Sequence, residues 1–374
     1  MALNSTTYSG RQFQVYLAAE TTTGTLNSTE ANYHRIDVEG VTLPTFSPVQ
    51  EFEMRTGTGR IAEFDQIFSS SKRITTEFTL SGRLTQEMWV ILMESVTGDE
   101  FDGGTGSDSV LQLANSYAGL GFKVGDDPGS VADFAYLMSV YFAAPTAADS
   151  YKLKSCTCTS FSIDADMDTA AGRFNYTATF QTQSAPAKGA LATMAADAAG
   201  IGSNYVYLSD FSQKELKIWN YSGGSDQAVT PLFKTFTFSV ECPTEFLGAT
   251  GANGEPEVWG KALPELTITY GGSIKYDEET DNMVEAHRDP DSASFLGLYL
   301  ADVAIAGTIE VPTGVFFGAS STTKFGMWAG KAKLTSCEVS SDDVAMVNFE
   351  AKVLAPTTGT HANTSFLALG GDNA

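Results

Sequence analysis

Apolar and polar residues alternate through several short stretches of the chain. In "RFNYTATF" (Arg173 to Phe180), Phe174, Tyr176, Ala178 and Phe180 take every second position. In "MVNFEAKV" (Met346 to Val353), Val347, Phe349, Ala351 and Val353 do the same. Successive side chains of a strand point to opposite faces, so this period predicts strands with one apolar and one polar side. "TTEFTLSGRL" (Thr75 to Leu84) alternates through Thr76, Phe78 and Leu80, and "ELTITYGGSI" (Glu265 to Ile274) through Leu266, Ile268 and Tyr270. Each of these two runs into a helix-like segment. "TQEMWVILMESV" has Thr85 as N-cap and Glu87 in the first turn, where the macrodipole favours an acid. "YDEETDNMVEA" begins its helix near Asp277.

These stretches pair off in order along the chain. Phe174, Asn175, Tyr176, Ala178 and Phe180 match Val347, Asn348, Phe349, Ala351 and Val353. Upstream of them, "KLKSC" (Lys152 to Cys156) resembles "KAKLTSC" (Lys331 to Cys337). The turns that follow are "SFSIDADMDTAAG" in the first copy and "SSDDVA" in the second. Thr79, Gly82 and Leu84 match Thr269, Gly272 and Ile274, and "DVEGVTLPTF" (Asp37 to Phe46) echoes "SVECPTEF" (Ser239 to Phe246). Ordered matches roughly 170 to 200 residues apart predict a duplication. The expected layout is an N-terminal arm (1–34), a first β-rich domain (35–183), an Ala-rich connector (184–230), a second β-rich domain (231–356) and a C-terminal tail (357–374). In the connector, Ala185 to Ala199 favours helix, and "NYVYL" is a candidate strand.

Composition agrees with a mainly β chain. There are 24 Phe and 14 Tyr, and the polar residues between them are largely Thr and Ser. No apolar run approaches the ~20 residues of a membrane helix, and "MALNSTTYSGRQFQ" lacks the basic-then-apolar layout of a signal peptide. A chain made and used without secretion is expected. The formal charge is −23. Affinity for nucleic acid comes largely from Lys and Arg displacing counterions, so this surface repels DNA. Acidity serves solubility, or it serves a wall that DNA passes without sticking.

Candidate chemistry is sparse. Cys156 and Cys158 lie two apart on a predicted strand, whereas zinc sites hold paired cysteines around a turn with a second pair elsewhere. The other thiols, Cys242 and Cys337, stand alone, and buried small hydrophobes are the expected role of all four. Asp164, Asp166 and Asp168 imitate the start of a calcium loop, but Thr169 stands where Gly is required and Asn175 where Glu is required. A solvated hairpin tip is expected there. His34, His287 and His361 have no nucleophile partner, and no G-x-S-x-G elbow occurs. "GTGRIA" from Gly57 and "GLGFKVG" from Gly119 each break the dinucleotide pattern. Lys72 and Arg73 form the densest basic spot in the first half and are read as a strand entrance. No catalytic, cofactor or metal site is predicted.

A duplicated β unit with one helix and a long early loop resembles the tail tube proteins of long-tailed bacteriophages, in the form that carries two copies of the domain. The likeness covers about 35–183 and 231–356 and rests on order and pattern. It implies two β-sandwich or barrel-like domains in tandem, each with a flanking α-helix. It also implies inner sheets joined edge to edge around a DNA channel, three chains giving a pseudo-sixfold ring, and rings stacked into a tube. The implied partners are further copies of the chain, the tape-measure, terminator and baseplate proteins of the tail, and DNA that passes without specific binding. The implied place is the virion tail, assembled in the host cytoplasm, with no membrane and no enzymatic activity.

Within that resemblance, the polar sides of the final hairpins are the expected lining of the channel: Asn175, Thr177 and Thr179, with Asn348, Glu350 and Lys352. Loops are expected at Ser47 to Ser71 and Leu247 to Pro264. The first is apolar through Phe52, Met54, Ile61, Phe64, Ile67 and Phe68, and is expected to dock on an adjacent ring. Two rival readings are a single-ring baseplate or distal tail protein, and a carbohydrate-binding virion surface protein. Clustered Trp and Tyr would favour the last, but Trp89, Trp219, Trp259 and Trp328 are scattered.

Overall fold

Each of the four alternating stretches is a strand, paired antiparallel with its neighbours. The computed structural model describes residues 12–20, 24–29, 32–41, 47–52, 67–97, 102–103, 108–114, 122–124, 137–182, 184, 186–189, 205–211, 213–221, 225–246, 259–262, 265–288, 295–301, 325–340, 344–354 and 365–372. The first half contains β1 (Gln14–Ala19), β2 (His34–Ile36), β3 (Gly40–Val41), β4 (Ser47–Phe52), β5 (Ile67–Arg83), helix α1 (Gln86–Thr97), β6 (Asp102–Gly103), β7 (Asp108–Ala114), β8 (Phe122–Val124), β9 (Met138–Ala143), β10 (Tyr151–Asp166), β11 (Asn175–Thr182) and β12 (Ala187–Lys188). The second contains β13 (Gln213–Tyr221), β14 (Ser225–Val229), β15 (Phe233–Glu241), β16 (Thr244–Phe246), β17 (Trp259–Ala262), β18 (Thr267–Lys275), helix α2 (Glu278–Arg288), β19 (Phe295–Ala301), β20 (Phe325–Val339), β21 (Met346–Val353) and β22 (Ser365–Asp372).

Eight of these strands lie side by side in the order β3–β5–β11–β10–β15–β18–β21–β20. The sheet therefore runs from one half of the chain into the other through β10 and β15. Its pairings repeat in register. Ala178 faces Leu80 as Ala351 faces Tyr270, and Tyr176 faces Gly82 as Phe349 faces Gly272. These are the residues matched in the sequence. Gly82 and Gly272 occupy one kind of place twice: a Cβ at either would collide with the backbone carbonyl of the preceding segment, Asp37 or Thr235. That near-contact also fixes the true equivalent of Asp37 as Thr235, so the echo of 37–46 in 239–246 is out of step with the structure. Likewise Cys337 faces Phe349 as Ile163 faces Tyr176, so Cys337 stands in the place of Ile163, not Cys156.

Outer strands complete each half in a similar way. β1 pairs with β2 and β9, and β9 with the N-terminal part of β10. β13 pairs with β14 and β19, and β19 with the N-terminal part of β20. Three expectations change here. The arm contains β1, the connector contains the β13–β14 hairpin, and the tail contains β22, which lies between β7 and β20. The segment of the connector rich in alanine lies outside the described residues, apart from its first positions. The region read as a long turn from Ser160 is mostly strand, because β10 continues to Asp166.

The apolar sides of seven of these strands, β5, β11, β10, β15, β18, β21 and β20, share a core with both helices. Phe78, Leu80, Phe161, Ile163, Tyr176, Phe180, Phe236, Phe238, Ile268, Tyr270, Ile274 and Val347 are all buried. Each large side chain of this kind removed from water stabilises the fold by about 2 kcal/mol. α1 crosses the seam between the halves: Trp89, fully buried, lies 5.8 Å from Phe161 of β10 and 5.8 Å from Phe238 of β15. α2 starts at a reciprocal cap, Thr280 N–H donating to Asp277 Oδ1 at 3.1 Å and Asp277 N–H to Thr280 Oγ1 at 2.7 Å. Among the described residues no helix is long and apolar enough to cross a membrane.

Candidate functional site: a polar face shared by both halves

From β5 to β20 the side of the sheet opposite the core is polar, apart from Met346 at the start of β21. Period two places Glu77, Thr79, Ser81 and Arg83 of β5 on it, facing Gln181, Thr179, Thr177 and Asn175 of β11. The face then crosses the seam. Ser162 faces Thr177 on one side and Ser239 on the other, and Asp164 faces Asn175 and Thr237. It continues through Thr269 and Ser273 of β18 to Asn348, Glu350 and Lys352 of β21. All six residues expected to line a channel stand on this one face. Thr177, Asn348, Glu350 and Lys352 are exposed, and Asn175 and Thr179 are half-buried.

Cross-strand hydrogen bonds hold these side chains down. Gln181 Nε2 donates to Glu77 at 3.0 Å, Asn175 Nδ2 to Asp164 at 3.4 Å, and Thr335 Oγ1 to the Glu350 carbonyl at 3.1 Å. Ser239 and Thr269 share a hydroxyl contact of 2.6 Å, and Ser273 bonds Asn348. Lys352 reaches Thr267 at 3.5 Å. Among the described side chains, the strand positions on this side carry six carboxylates (Glu77, Asp164, Asp166, Glu241, Glu338 and Glu350) and four cations (Arg83, Lys275, Lys333 and Lys352). Arg83 Nε is held by Glu39 at 2.8 Å, and Lys275 lies 3.9 Å from Asp277. The face is thus rich in hydroxyl groups and only slightly acidic, although the whole chain carries −23.

Sequence reasoning found the ends of this face and missed its centre. Ser162, Asp164, Thr237 and Ser239 belong to it. The alternation in "SFSIDAD" and "TFTFSV" was a usable signal, but nothing in the sequence states that β10 pairs with β15.

The thiols and aspartates have other roles. All four cysteines are buried, and none is in a disulfide. Burial pushes the Cys156 thiol well up, with the Glu20 carboxylate adding to it, and pushes Cys337 up to about 11. Ser155, beside Cys156, has φ 50° where β10 changes register, and its N–H donates to Glu20 Oε1 at 2.5 Å. Asp166 caps the turn by accepting from Asp168 N–H at 2.9 Å, and Asp168 pairs with Lys234 at 3.2 Å. Among the described residues no group of three or more His, Cys, Asp or Glu is placed to hold a metal.

The loop expectations are modified at their stems. Ser47–Phe52 pairs with β5 from Ile67 to Thr75, so the first segment begins and ends as a strand hairpin. Phe52, Ile67 and Phe68 lie on that hairpin. Met54, Ile61 and Phe64 lie outside the described residues. The stem of the second segment is β16 against β17, and β17 pairs in turn with β8 of the first half. His361, Gly57 and Gly119 also lie outside the described residues. In comparisons with known proteins, no protein-family model matches the chain and no curated protein matches it.

Proposed function

We propose that this chain is a structural subunit that closes into rings and stacks into a hollow tube, as the major tail tube protein of a long-tailed bacteriophage. On this reading residues 14–182 and 213–353 are two related domains of one chain, and three chains form a ring of pseudo-sixfold symmetry. The observation that carries it is the eight-stranded sheet whose polar side passes from one half to the other without interruption. A sheet that joins two like halves edge to edge extends to further copies by the same contact.

The polar side is the wall of the channel. Hydroxyls and carboxamides bonded to one another offer DNA few free donors, and Arg83 and Lys275 are opposed by neighbouring acids. DNA is held where Lys and Arg release its counterions, so this wall lets it slide. Low stickiness comes from hydroxyl lining and matched charge more than from a strongly acidic surface. The partners are other copies of the chain, the tape-measure, terminator and baseplate proteins, and DNA in transit, in the tail of the virion.

Negative-stain microscopy of the purified chain tests this. Tubes are expected. Single rings would favour a baseplate or distal tail protein, and isolated particles at every concentration would remove the proposal.

A further inference from the structure

The seam inside the chain is a template for a seam between chains. β10 holds β11 on one edge through Asp164↔Asn175 and β15 on the other through Asp164↔Thr237. β20 stands in the same relation to β21, with Glu338↔Asn348 in the place of Asp164↔Asn175. Its second edge is taken by β19 only as far as Ala332, β22 lying on the β21 side, and among the described residues nothing pairs with that edge from Thr335 to Val339. Val339 is 38% exposed there. At the far end of the sheet, Asp37–Val41 lies on β5 as Thr235–Phe238 lies on β18. The carbonyls of Asp37 and Thr235 approach matched glycines, and Gly40↔Ser81 repeats Thr237↔Gly271. Among the described residues no strand covers the outer edge of Asp37–Val41.

Resting on the ring reading, we propose that Thr335–Val339 of one copy pairs antiparallel with Asp37–Val41 of a second copy, in the register of the inner seam. Val339 then faces Val38 as Ala165 faces Phe236, and Cys337 faces Val41 as Ile163 faces Phe238. The first half has one more residue over this span, and Glu39 takes it up as a bulge, its N–H donating to the Ser81 carbonyl at 3.0 Å. Space exists for the incoming chain. Ile36, with Arg35, Asp37 and Val38, borders a hollow of about 520 Å³, and Val344 in the turn after β20 is 65% exposed.

The two seams differ in their cover. Trp89 N–H donates to the carbonyl of the N-cap Thr85, and Asp281 N–H donates to the N-cap Asp277 in the same way. Where the inner seam is sealed by an indole, the seam between copies has a half-buried carboxylate, bonded by the Tyr276 hydroxyl at 2.9 Å. The inner seam is the stronger of the two, so the chain folds as one piece and copies join afterwards.

Cysteine linking tests the register. A chain carrying Val339→Cys is mixed with one carrying Val38→Cys, both also with Cys337→Ala so that no native thiol stands in the proposed contact, assembled, and oxidised; Cys156, Cys158 and Cys242 are buried. Covalent pairs are expected only in the mixture, and at least ~10-fold faster than for the shifted pair Ser336→Cys with Val38→Cys, because cross-strand neighbours hold a high effective concentration. Rings or tubes that form without this link, or that link the shifted pair as fast, overturn the register and leave the ring reading standing. A wild-type chain that stays a single particle at every concentration overturns both.

Discussion

At Gly82 and Gly272 the fold leaves no room for a methyl group. Both sit where a neighbouring carbonyl crosses the strand, so an added Cβ must push backbone aside. Gly82→Ala and Gly272→Ala should each destabilise by about 1–3 kcal/mol, read as a lower midpoint in thermal melts. Unchanged melts would remove the clash. Tyrosines give a second expectation at this scale. Burial pushes Tyr33 up to about 12 and raises Tyr176 and Tyr270 further. The unfolded chain ionises its phenols near 10.0, so these groups contribute fully below that pH and less as pH rises through and past it. Alkaline titration should release their phenolate absorbance together with loss of the fold. Smooth titration near pH 10 in the folded protein would count against it. The matched glycines were legible as Thr-x-x-Gly-x-aliphatic in both halves; the carbonyl that makes them necessary was not, since it belongs to another strand.

Among the elements, α1 matters most for how the halves stay together, because Trp89 touches both sides of the seam. Trp89→Ala should cost about 3–5 kcal/mol and loosen β15 from β10, seen as faster amide exchange at Phe236–Val240 than in the outer strands. Equal exchange in both places would show that the helix does not hold the seam. Removing 52–68 should leave rings that do not stack, visible by microscopy; ordinary tubes from that deletion would dismiss the stacking role of the segment. Strands with one wet side were plain in the sequence. β1 was hidden because Val15 and Leu17 enter one buried cluster while Tyr16 and Ala18 enter another, so both sides are apolar and the alternation vanishes. β13 did alternate, with Leu216 and Ile218 inward, but followed an alanine-rich stretch that suggested a linker. The centre of the polar face escaped for a different reason: β10 and β15 are partners across some seventy residues of chain, and pairing at that range leaves no local trace.

For the whole molecule, charge opposes association. Each copy carries −23, and the proposed contact brings Glu338 near Glu39, which is already engaged by Arg83. Raising salt from about 0.05 M to about 0.5 M shortens the screening length well below ~10 Å and should lower the concentration at which the chain assembles, measured by light scattering. Assembly that weakens with salt would point instead to attraction between opposite charges. The tether between the halves also restricts what can go wrong. On the proposed ring reading, one seam in every two is closed before any copies meet, so the growing circle gains or loses sheet units two at a time. A closure with an odd number of units is ruled out by covalent connectivity alone, whatever the curvature of the sheet would tolerate.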